Sequence, residues 1–191
     1  MKISVIGYSA SGKSTLAQDI SQTYDLPLLH LDQVNLTENW KERDLDEAIN
    51  IVENFMKQDD WVIDGNYDKL KKTERLALSD IIVFLNFNRF NCLLRAIKRY
   101  FKYRGKTRES MADNCPEKLD FEFIKWILID GRSKEKRDNY ANMKKHYSHK
   151  WIQINNQEEH KKLKNTFNEA TRACNMALFL LRFLEKQIFF T

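Results

Sequence analysis

The sequence predicts an α/β fold of three layers, a parallel sheet of five strands with helices on both faces. Two observations carry that expectation. Five short runs rich in β-branched and aromatic residues alternate with segments whose apolar residues recur every three to four positions. Glycine and proline are scarce, five and two in 191 residues, so each of them marks a turn and the periodic segments run unbroken. At 191 residues, 42% hydrophobic and 31% charged, the chain suits one folded domain with a full core and is unlike a disordered segment. A single domain over 1–191 is expected, with an insert at about 104–120 and a C-terminal helix at about 168–191.

The first strand is expected at 3–6, in Ile3-Ser4-Val5-Ile6. A helix over 13–24 follows, with Leu16, Ile20 and Tyr24 on one face, and then a strand over 28–31. Leu45, Ala48, Ile49, Val52 and Met56 recur at helical spacing over 44–56. Strands are expected at 61–63 and 81–85. The clearest helix covers 90–101, with Phe90, Leu93, Leu94, Ile97, Tyr100 and Phe101 in register. The stretch 104–120 is polar, lacks periodicity and holds Gly105 and Pro116; a long insert of this kind in a compact domain is usually functional, here read as a lid. Another helix begins at 121–128 and is interrupted at Gly131, and the last strand covers 151–154. In the tail, Ala173, Ala177, Leu180, Leu181, Leu184 and Ile188 share a face, which suits docking on the domain's own core or, failing that, a homodimer contact. Arg182, Glu185 and Lys186 break the apolar stretch 176–190, so no membrane span is expected.

No leader-like run precedes the first strand, and the expected location is cytoplasmic. Cys92, Cys115 and Cys174 are odd in number and widely spaced, as free thiols in a reducing compartment are. The net charge of +5 is unevenly spread: residues 89–108 hold eight Lys or Arg and no acid, and so call for an anionic partner.

Gly7-Tyr8-Ser9-Ala10-Ser11-Gly12-Lys13-Ser14 fits Gly-x4-Gly-Lys-Ser/Thr without a departure, between a strand and an amphipathic helix. Gly7 and Gly12 let the backbone turn tightly and bring its N–H groups against phosphate oxygens. The helix that starts near Lys13 points unpaired N–H groups and its positive dipole end at the same anion. Lys13 supplies a point charge to the β- and γ-phosphates, and the Ser14 hydroxyl is a hard ligand for Mg²⁺. Gly7, Ser9, Ala10, Ser11, Gly12, Lys13, Ser14 and Thr15 are therefore the expected ATP-binding residues. The guanine-reading Asn-Lys-x-Asp of GTPases is absent.

Ligands of a doubly wound sheet gather at the C-terminal ends of its strands. Asp32 and Asp64 are placed there, and either suits Mg²⁺ held through water; Asp32 also suits an acceptor hydroxyl. His30 reads as a packed strand residue, and Asn86 as loop geometry at the end of the fourth strand. Arg95, Arg99 and Lys102 share the polar face of the 90–101 helix, and Arg104, Lys106 and Arg108 continue into the insert, with Arg132 and Arg137 beyond. A guanidinium matches phosphate oxygens and keeps its charge in a closing site. Arg99 is assigned to the nucleotide, and Arg104, Arg108 and Arg132 join Lys13 and Asp32 as catalytic candidates; Ser14, Asp32 and Asp64 are the metal candidates.

Residues 7–15, His30-Leu31-Asp32, the run from Trp61 to Tyr67, Tyr103-Arg104-Gly105-Lys106-Thr107-Arg108, Cys115-Pro116-Glu117 and Asp120-Phe121-Glu122-Phe123 together give the chain, over about 1–160, a resemblance to the adenylate-kinase-related family of DNA topology modulation proteins. The resemblance implies a nucleoside-monophosphate-kinase-like P-loop NTPase fold with an Arg-rich lid. It also implies that Asp64, in Asp64-Gly65, supports the Mg²⁺ site. Two positions depart from the pattern: Tyr67 follows Asn66 without the arginine that adenylate kinases carry nearby, and Asn86 stands where relatives carry Asp. With one Cys and no His, the insert lacks the ligands of a structural zinc.

The leading expectation is ATP- and Mg²⁺-dependent phosphoryl transfer to an unidentified small-molecule acceptor. A nucleotide-dependent DNA-binding regulator using the basic stretch is the alternative, though no helix-turn-helix, zinc-finger or RNA-recognition signature accompanies it. A catalytically silent nucleotide binder is the third reading.

Overall fold

The structure, a computed structural model, describes residues 1–172. Strands β1 (Lys2–Gly7), β2 (Leu28–His30), β3 (Trp61–Asp64), β4 (Ile81–Leu85) and β5 (Trp151–Ile154) form one sheet in the order β2-β3-β1-β4-β5. Every neighbouring pair is parallel, so all five C-terminal strand ends open on one edge. Successive side chains of a strand point to opposite faces, and β3 shows the result. Trp61 and Ile63 join one core cluster with Leu31, Val34, Ala48, Val52, Met56 and Leu70, whereas Val62 belongs to the larger cluster on the other face.

Helix α1 (Lys13–Tyr24) buries Leu16, Ala17 and Ile20 on that larger cluster. The short α2 (Leu31–Asn35) and α3 (Leu45–Met56) cover the opposite face, and α3 starts where the Asp44 carboxylate accepts from the N–H groups of Asp46 and Glu47. The seven-residue α4 (Lys72–Leu78) leads into β4. Helix α5 (Arg89–Lys102) is capped by the Asn88 side chain and buries Cys92 and Ala96. Residues 103–120 follow without a helix or strand, apart from an isolated bridge between Thr107 and Pro116. Next come α6 (Phe121–Leu128), a 3-10 turn at Asp130–Arg132, α7 (Lys134–His146) and α8 (Gln157–Arg172).

All five strands and the helices over 13–24, 44–56 and 90–101 match the sequence reading in extent to within a residue or two, but the face of α5 read as apolar is not its buried one: Phe90, Leu94 and Phe101 are exposed. The second strand stops at His30 because Leu31 already opens α2, so Asp32 stands in a first helical turn rather than at a strand end. Helix α7 escaped the sequence reading because it is polar nearly all round; only Tyr140 and Met143 pack on the core. The last helix begins at Gln157, eleven residues before the expected 168, where the Asn156 side chain accepts from Glu158 and Glu159. The expected continuation over 173–191, with the homodimer contact assigned to it, lies outside the described residues. No helix among the described residues is long and apolar enough to cross a membrane.

Candidate active site

Beyond β1 the chain turns at Gly7, with φ +145°. A Cβ there would lie 2.5 Å from the Leu85 carbonyl oxygen of β4, so only glycine fits. Ala10 (φ +57°) and Gly12 (φ +98°) complete the turn into α1. The Asn66 side chain clips the loop's entrance like a peptide unit: its Oδ1 accepts from Gly7 N–H at 3.1 Å and its Nδ2 donates to Gly7 C=O. Lys13 Nζ donates to the Tyr8 carbonyl at 3.1 Å. Arg95 braces the loop by stacking 4.0 Å over the Phe87 ring and donating to Ser11 C=O and Gln157. Trp126 Nε1 donates to Ser9 Oγ at 3.0 Å, with Lys136 lying 3.7 Å over the indole.

The loop opens into a cleft of about 980 Å³ at the C-terminal edge of the sheet. Of the expected residues, Ser9, Ala10, Ser11, Gly12, Lys13, Ser14, Thr15, Asp32, Asp64, Arg99 and Arg108 line it together. Gly7 lies at the loop's root. Arg104 is exposed and lies outside the lining. Arg132 is also outside it, behind the loop, stacked 3.7 Å over Tyr8 and donating to the carbonyls of Phe87 and Ile127. Asn86 pairs with Asn155 away from the cleft.

Asp64 ends β3 buried, with Oδ2 3.0 Å from His30 Nδ1. Its Oδ1 is buried without a hydrogen-bond partner among the described residues. Asp32 accepts from the Tyr67 hydroxyl at 2.8 Å, and burial together with that carboxylate pushes the Tyr67 phenol up. Across the cleft, Glu117 is 8% exposed and divides its oxygens between two arginines, Arg99 at 2.6 Å and Arg108 at 2.6 Å. Burial and the neighbouring Arg108 charge pull the Arg99 pKa down.

No group of three or more His, Cys, Asp or Glu among the described residues forms a metal cage. Mg²⁺ does not need one: it keeps waters and takes one or two carboxylates plus substrate phosphates. Asp64, whose Oδ1 has no hydrogen-bond partner among the described residues, Asp32 and Ser14 all line the cleft and carry hard oxygens suited to such an ion.

Asn66, Tyr67, Arg95, Glu117 and Trp126 were absent from the expected site. Asn66 and Tyr67 had a signal in the Asp-Gly-Asn-Tyr string, Glu117 in Cys115-Pro116-Glu117 and Arg95 in its place on the basic face; Trp126 stood out only through a partner distant in sequence.

No protein-family model and no curated protein matches the chain. Solved structures do. A shikimate kinase from Acinetobacter baumannii in complex with shikimate aligns at a TM-score of 0.54 and 15% identity, over 92% of this chain and 94% of that one. A shikimate kinase from Bacteroides thetaiotaomicron aligns at a TM-score of 0.53 and 16% identity, over 90% of this chain and 98% of that one. At such identities the likeness speaks for architecture, and the chain has the parallel five-stranded P-loop α/β fold seen in these kinases.

Proposed function

We propose that this protein transfers the γ-phosphoryl group of ATP, with Mg²⁺, to a small-molecule acceptor, in the manner of nucleotide kinases. The observation that carries the reading is the meeting in one cleft of a complete phosphate loop, two carboxylates and an arginine pair. Loop amides and Lys13 hold the triphosphate, and Arg99 and Arg108 offset charge on the transferring group. Bound Mg²⁺ would be held by Ser14 with Asp64 or Asp32 and would neutralise phosphate charge. Asp32, fixed by Tyr67, orients an acceptor hydroxyl. Residues 104–120 act as the lid. The resemblance to adenylate-kinase-related proteins and the shared fold of shikimate kinases support this reading.

The DNA-binding alternative has less support, because Arg95, Arg99 and Arg108 of the basic stretch turn toward the loop and cleft. Coupled ADP release, measured across nucleoside monophosphates, nucleosides and small hydroxylated metabolites, tests the proposal. Acceptor-dependent turnover that falls by roughly a hundredfold or more in Lys13→Ala supports it. ATP binding with no acceptor raising turnover above the Lys13→Ala background would move the silent binder ahead.

A further inference from the structure

Arg75 of α4 is fully buried, and no carboxylate lies within ion-pair distance of it among the described residues. Its Nε donates to Leu70 C=O at 2.8 Å, Nη2 to Tyr67 C=O at 3.0 Å and Nη1 to Gly65 C=O at 3.4 Å. A buried guanidinium with no carboxylate in contact is costly, and burial lowers its pKa to about 10 against the opposing charges of Asp68, Asp64 and Glu74. All three acceptors belong to one loop, residues 65–70. That loop carries Asn66, which clips Gly7, and Tyr67, which holds Asp32.

We infer that Arg75 is a positioning residue: its fork sets the 65–70 loop so that Asn66 and Tyr67 join the phosphate loop to the acceptor carboxylate. This rests on the phosphoryl-transfer reading for its catalytic consequence, not for its geometry. A planar fork reaches three divergent carbonyls, whereas a lysine ammonium is a point charge on a flexible stem. Arg75 touches no reacting atom; it acts through Asn66 and Tyr67.

Two variants, Arg75→Lys and Arg75→Gln, test this in the full chain; the second serves if the first does not fold. Amide exchange at 65–70 should quicken in the variant while β1, β3 and α4 keep their protection. Acceptor kcat/KM should fall about tenfold or more, and the double variant with Tyr67→Phe should be no worse than the more damaged single variant, because the two act along one path. Unchanged exchange at 65–70 overturns the inference, as does strict additivity with Tyr67→Phe, which marks a merely structural role. If the wild type turns over no acceptor, the transfer reading fails by itself. Local exchange and Mg·ATP affinity, expected to be about tenfold weaker in Arg75→Lys, then decide the positioning role.

Discussion

The phosphate loop has no room for a side chain at Gly7. Any side chain there meets the β4 backbone at Leu85 and must also adopt φ +145°. Gly7→Ala should cost about 3 kcal/mol or more, read as a lowered urea midpoint, since strain and overpacking add. An unchanged midpoint would mean that the loop root is looser than described. His160 lines the same cleft, and burial, reinforced by Arg95, lowers its pKa. The unfolded chain therefore takes up that proton first, near pH 6.5, and stability falls as pH drops through that value toward the lower folded pKa. His160→Asn should flatten this part of the acid limb in urea titrations between pH 7.5 and 5.5; an identical slope would remove His160 from the account. The phosphate loop was legible in the sequence because its chemistry is local, eight consecutive residues between a strand and a helix. Arg132 was not: its type and charge suit a phosphate, but its partners, Tyr8 and the Phe87 carbonyl, come from remote parts of the chain.

At the scale of elements, residues 103–120 are tied across the cleft rather than free of it. Glu109 accepts from Gln18 of α1 and Gln33 of α2, and Cys115 lies between Trp40 N–H and Thr37 C=O. Glu117 then draws Arg99 of α5 and Arg108 of the segment onto one carboxylate. Glu117→Gln leaves two neighbouring guanidinium groups without a counter-ion. Breaking a fully buried pair costs about 3–5 kcal/mol, and the arginines' partial exposure brings the expected loss to about 2 kcal/mol. In a chain of this length that is a fall of about 4–8 °C in Tm, and an unchanged Tm would show the triad to be worth little. The strands and the helices over 13–24 and 44–56 were readable because burial imposes a period on the sequence; α5 shows a period too, but Phe90, Leu94 and Phe101 of the face read as apolar are exposed, and Cys92 and Ala96 are what it buries. Helix α7 buries too little to impose a period, and in 28–31 the strand gives way to helix at Leu31 with no glycine or proline to mark the change.

In the whole molecule, parallel pairing of all five strands brings the ends of β1 and β3 to one edge, with α2 opening just beyond β2. Residues as distant as Lys13, Asp32, Asp64 and Arg108 thereby line one cleft. The sequence carried that convergence as far as the strand ends, because a doubly wound sheet has one ligand edge. It did not carry the cross-links, Asn66 to Gly7 and Tyr67 to Asp32, which depend on register and loop packing. The central claim, group transfer rather than hydrolysis or binding, is tested most directly by phosphorus NMR of ATP and Mg²⁺ turned over with a pool of candidate acceptors. Phosphoryl transfer should give loss of the γ resonance, appearance of ADP and a new phosphoester or phosphoanhydride signal, all absent with Lys13→Ala. Intact ATP, or ADP with inorganic phosphate and no phosphorylated acceptor, would contradict it.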